Sequence, residues 1–268
     1  GGELWSGDAA LKTSLWSRPA PRVLHLATHG FALDGGGDEV GPEYSFGWTD
    51  LNNARWMDRH FVLDRPNRLA LDNPMLRAGL ALAGVNAWLQ GVVGPAEAGD
   101  GLLTAEEVTT LDLEGTELVV LSACDTGLGT IRAGEGVLGL RRAFQIAGAR
   151  SLVLSLWKVD DLATALLMER LYEGLIAGND RDEALREARR YVREVTVAEL
   201  KGRWLIPAAI DQLAEGDEAL HRHLLQLATM PGDHCPFEGP FYWGAFICQG
   251  DTAPLPGADG PASAASAP

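Results

Sequence analysis

Apolar positions fall into short runs separated by stretches with helical spacing. Residues 22–30 read RVLHLATHG, 116–124 read TELVVLSAC and 151–157 read SLVLSLW. Brief Val- and Leu-rich runs of this kind suit strands covered on both faces. Between the second and third lies GEGVLGLRRAFQIAGA, where Val137, Leu140, Phe144 and Ala147 recur at helical spacing and Gly148 occupies the stop position. A strand, helix, strand unit makes a right-handed parallel crossover, so the pattern predicts an α/β sheet with covered faces. Two amphipathic helices follow, DLATALLMERLYEGLIAG and RDEALREARRYVREV; the second carries Glu183, Arg186, Glu187 and Arg190 in pairings along a solvated face. FYWGAFICQG (241–250) predicts a late strand and LRAGLALAG (76–84) a shorter one.

Two stretches fit the sheet less easily. Residues 34–70, polar and aromatic, form an expected insertion soon after His29, and residues 196–238 a second one, helical in part and punctuated by Pro207, Pro231 and Pro236. Beyond Asp251 the chain is Pro, Ala, Gly and Ser. The expected organisation is a single domain over 1–251 with two insertions and a flexible tail at 252–268.

Charge changes the picture. Asp and Glu number 37 against 22 Lys and Arg, a formal charge of -15. That surface repels phosphate backbones and draws in basic peptides, so no direct nucleic-acid partner is expected. Three cysteines, Cys124, Cys235 and Cys248, are too few and too scattered for a disulfide framework. No basic segment leads into an apolar core at the start, and no stretch is apolar enough to span a bilayer. The reading is a cytoplasmic protein without a membrane partner, and the opening Gly-Gly is compatible with a piece of a longer chain.

Ligands of open parallel sheets bind at the carboxyl ends of strands. His29 ends the first run and Cys124 the second. On neighbouring strands the imidazole and thiol would share a rim, the arrangement that activates a thiol as nucleophile. Gly30, without a side chain, lets its N–H approach a substrate oxygen, and the N–H of Cys124 supplies a second oxyanion donor. Asp125 is placed to hold the following turn. After the third run, Trp157 precedes Asp160 and Asp161. One aspartate is expected to cap the next helix, leaving the other to read a basic side chain with Trp157 as a wall. Plainer readings stand beside these. A cysteine at a strand end also serves as a core filler. His25, deep in its run, reads as a hydrogen-bonded core residue, and His221 and His223 as helix-surface residues. His25 and His29, with His234 and Cys235, are a conceivable zinc set. Neither Cys-x-x-Cys nor His-Glu-x-x-His occurs, so no metal or other cofactor is expected.

HLATHG, DGLLTAEEV, LDLEGTELVVLSACDTGLG, GEGVLGLRRAFQIAGARSLVLSLWKVDD and PFYWGAFICQGD, in this order, resemble the CHAT domain, a caspase-like peptidase family related to separase. The resemblance implies a caspase-like three-layer α/β sandwich, a mostly parallel central sheet flanked by helices, and a His29–Cys124 dyad. It places Ser122 and the Trp157 to Asp161 stretch along the primary pocket. It further implies a cysteine endopeptidase with a protein or peptide substrate, under an upstream or separate sensor module, in stress or antiviral defence. The rival expectation is a catalytically silent module of the same fold that binds a partner protein.

Overall fold

The computed structural model describes residues 2–32, 74–76, 78–92, 97–122, 134–157 and 160–257. The chain clusters into two compact units: Gly1–Lys158 with Phe246–Thr252, and Val159–Ala245 with Ala253–Pro268. The expected insertion at 34–70 lies outside the described residues.

In the first unit the strands are β1 (Val23–Leu26), β2 (His29–Ala32), β3 (Ala78–Ala81), β4 (Leu102–Thr104), β5 (Leu118–Leu121), β6 (Ser151–Ser155) and β7 (Phe246–Gly250). Its helices are α1 (Val85–Leu89), α2 (Ala105–Val108) and α3 (Gly134–Ile146). Among the described residues the larger sheet has the order β1-β5-β6-β7 and the smaller β2-β3-β4. β1, β5 and β6 run parallel, and β7 closes the larger sheet antiparallel to β6. Fold class therefore follows expectation: a mostly parallel α/β sheet of caspase-like type.

The continuous apolar runs have a simple cause. On one face Leu26, Val119, Leu121, Leu152 and Leu154 join Leu140, Ala143, Phe144 and Ala147 from and just after α3 in one core. On the other face Leu118, Val120 and Val153 are equally buried. A strand covered twice has no use for polar alternation. α3 stops where the pattern placed its end: Gly148 has φ of +107°, and a Cβ there would stand 2.9 Å from Glu114 N.

The structure corrects two expectations. RVLHLATHG is two strands in two sheets. β1 ends at Leu26, and His29 begins β2, which pairs antiparallel with β3, His29 opposite Ala81. Thr28 Oγ1 donates to the Ala81 carbonyl just before this pairing starts, so hydrogen bonding with β3 captures the chain after two linking residues. Similarly, 241–250 is strand only from Phe246. Pro240 sits at a helix start, and the helical turn Pro240–Trp243 precedes β7.

The amino-terminal segment is stapled to this unit by Lys12. Its ammonium donates to Asp100 Oδ1 at 2.5 Å, Glu107 Oε1 at 2.8 Å and the Leu102 carbonyl at 3.0 Å. Glu107 also completes a reciprocal cap of α2: Thr104 N–H donates to Glu107 Oε2 at 2.9 Å, and Glu107 N–H to Thr104 Oγ1 at 3.2 Å.

The second unit is helical in its described residues: α4 (Asp161–Ile176), α5 (Arg181–Glu194), α6 (Val197–Lys201), α7 (Pro207–Leu213), α8 (Glu218–Thr229) and α9 (Pro240–Trp243). α4 and α5 pack together, with the Arg170 guanidinium 4.1 Å over the Tyr191 ring. The expected pairs on α5 form: Arg186 reaches Glu183 at 2.5 Å, and Arg190 pairs with Glu187. Both arginines are exposed, so solvent screens these pairs and they add little to stability. The stretch 196–238 is largely three short helices, opened by a Thr196–Glu199 capping box. Of the tail, residues 252–257 are described, and Leu255 is buried.

Candidate active site

His29 owes its place to the change of sheet. β1 delivers the chain to the carboxyl edge of the parallel sheet, the two residues Ala27 and Thr28 cross over, and β3 then fixes the His29 backbone. Its side chain is solvent-exposed, and Gly30, next along β2, is half-buried opposite Leu80. On the neighbouring strand β5 ends at Leu121, and the parallel ladder continues one step further as Ser122 N–H donates to the Leu26 carbonyl at 3.2 Å. Cys124 and Asp125 lie outside the described residues.

One contact here departs from the sequence expectation. His25 Nε2 lies 2.9 Å from Ser122 Oγ, joining β1 to the end of β5. His25 is solvent-accessible rather than deep in a core. Even so, the protein around it desolvates the ring enough to lower its pKa below the usual histidine value. The two residues are 97 positions apart, so no local pattern could have joined them.

Trp157, half-buried, follows β6. Asp160 is the cap of α4, its Oδ1 accepting from Ala163 N–H at 2.9 Å. Its other oxygen, Oδ2, lies 3.4 Å from His223 Nε2. Asp161 is exposed in the first turn of the same helix. Of the two aspartates, Asp160 thus takes the capping role that the sequence assigned to one of them.

The CHAT domain family matches residues 5–251. The chain belongs to this family. The CHAT domain is a caspase-like peptidase family, and the match spans both sheets and the helical unit. A 92-residue stretch, 34% of this chain, is 37% identical to the human protein named Tetratricopeptide repeat protein 28. The mouse protein of the same name is 35% identical over a stretch of equal length. The matched stretch is 4% of each of those proteins, so the chain spans a small fraction of the relatives it matches.

Within the CHAT motifs, DGLLTAEEV serves the fold, since Asp100 and Glu107 bind Lys12 while Thr104 and Glu107 cap α2. A capping-box spacing, Thr followed by Glu at the third position, was the available signal. Among the described residues no group of three or more His, Cys, Asp or Glu side chains is gathered closely enough for a metal ion. Nor is any described helix long and apolar enough to cross a membrane.

Proposed function

We propose that this CHAT domain is a cysteine endopeptidase in which His29 assists Cys124 in attacking a peptide carbonyl. The Gly30 and Cys124 N–H groups stabilise the tetrahedral oxyanion, His29 protonates the leaving amine, and water then releases the acyl-enzyme. The single observation that carries the reading is the adjacency of β1 and β5 in register. β1 ends three residues before His29, and β5, its parallel neighbour, ends three residues before Cys124. Family membership supports the same chemistry.

For substrate binding, Ser122 and Trp157 line the primary pocket and Asp125 steadies its loop. Asp160 is engaged as a cap, so Asp161 is the acid assigned to a basic side chain at the cleavage point, with Asp160 supporting it. A sensor module, upstream or separate, controls the enzyme, whose setting is stress or antiviral defence. Residues 1–251 are assigned to a single CHAT domain, the span over which the family matches being 5–251.

A peptide-library cleavage profile comparing wild type with Cys124→Ala and His29→Ala tests this. Each substitution is expected to lower kcat/KM by about a thousandfold or more, and wild type to favour Arg or Lys at the scissile bond. Equal cutting by Cys124→Ala rules out the nucleophile. The naming of both matched relatives for a repeat module favours one alternative, a catalytically silent partner-binding domain. In that case a thiol-directed peptide electrophile modifies Cys124 no faster in wild type than in His29→Ala.

A further inference from the structure

Leu24 and Leu26 pack toward the α3 core, as do Val119 and Leu121. Strand alternation therefore sets His25 on the opposite face, shared with Val120 and Ser122. Ser122 stands one residue past β5 and is held to β1 twice: by its N–H to the Leu26 carbonyl at 3.2 Å, and by its hydroxyl to His25 Nε2 at 2.9 Å. The hydroxyl donates or accepts according to the imidazole tautomer. A backbone bond alone leaves the chain free to pivot at the ladder's last rung, whereas a second bond at an angle to it removes that freedom. Desolvation keeps the ring disposed to its neutral form, which can accept from a hydroxyl as well as donate to one.

We infer that His25 is a positioning residue: acting through Ser122, it fixes the point at which β5 releases the chain toward the nucleophile two residues further on. The inference rests on the cysteine-peptidase reading and adds to it a histidine that touches no substrate. Small misplacements of a reacting group are costly because the attack geometry is narrow. The effect belongs in kcat, while a pocket role for Ser122 alone belongs in KM.

The test compares the full chain with His25→Phe, His25→Gln, Ser122→Ala and the double variant His25→Phe/Ser122→Ala. Steady-state kinetics on the best library peptide are measured together with the iodoacetamide alkylation rate of Cys124, followed by peptide mass spectrometry. His25→Phe is expected to lower kcat about tenfold with KM within about twofold; Ser122→Ala should lower kcat by a similar factor, with any added rise in KM reporting its pocket role, and the double variant should have a kcat no worse than either. His25→Gln, which keeps a donor and acceptor at the reach of Nε2, should return to within about threefold of wild type. Alkylation rates should follow the same order. A rise in KM alone, multiplicative losses in the double variant, or a Gln variant as impaired as the Phe variant overturns the inference. If His25→Phe fails to fold, Ser122→Ala against wild type decides, since it removes one hydroxyl. A wild type that cleaves nothing ends the peptidase reading instead. Alkylation then decides the positioning role: equal rates across the series end it, and slowing by Phe with recovery by Gln sustains it.

Discussion

Lys12 and His25 show how differently two basic side chains respond to their surroundings. Burial works against the Lys12 charge, but the hydrogen bonds and charges of Asp100 and Glu107 outweigh it and hold its pKa above the usual lysine value. Lys12→Met removes the ammonium's charge-assisted bonds to Asp100 and Glu107 and its bond to the Leu102 carbonyl, so it should cost about 1–3 kcal/mol in urea unfolding. The folded pKa is raised, so this stabilisation is complete below the unfolded lysine value of about 10.4 and fades as pH climbs through the folded one. The difference between wild type and Lys12→Met should therefore shrink above about pH 10. For His25 the sign is reversed. Its folded pKa is depressed by desolvation, so the unfolded chain takes up the proton first. Stability should fall as pH drops below about 6.5 and level off below the folded value. His25→Gln should flatten that slope in the urea midpoint measured from about pH 8 to about pH 5. Of these details the Asp160 cap was legible, because an acid before a helical pattern has a local meaning. The partners of Lys12 and His25 were not, since they lie 88 to 97 positions away.

β5, β6 and α3 were legible for the same reason that they are stable: their side chains are buried by pattern alone. Of the smaller sheet only β3 was legible, as the short strand expected within 76–84. What the sequence did not show is why β3 contains Gly79: a Cβ there would stand 2.5 Å from the Leu103 carbonyl and 2.6 Å from the Phe31 ring. The glycine is needed because β4 and the Phe31 side chain close in on it. Gly79→Ala should destabilise the protein by about 1–3 kcal/mol, read as a lowered thermal midpoint. Adding Phe31→Leu should recover only part of that loss, because the carbonyl stays in place. β2 went unrecognised as a separate strand because its partner, β3, begins 49 residues after His29 in the chain, and apolar character alone does not say which sheet a strand will join.

With 37 acids against 22 bases, the protein as a whole presents a field that gathers cations. If its substrates are basic peptides, kcat/KM for an Arg-rich peptide should fall several-fold, on the order of 3 to 10, between about 20 and about 300 mM salt, and rise for an acidic peptide of equal length. Competition kinetics between the two peptides measure this directly. The family was readable because its motifs keep their order along nearly the whole chain; the arrangement of the smaller sheet behind those motifs was not, because it depends on long-range pairing. That pairing gives the link between the sheets a fixed length. Ala27 and Thr28 alone join β1 to β2, and side chains alternate on either side of them. Deleting or inserting one residue here would press β2 to slip one step from its His29–Ala81 pairing, and such a slip turns the imidazole of His29 to the reverse side of its ribbon while leaving the amino-acid content of the motif nearly intact. The count of residues in this joint, more than their identity, aims the histidine.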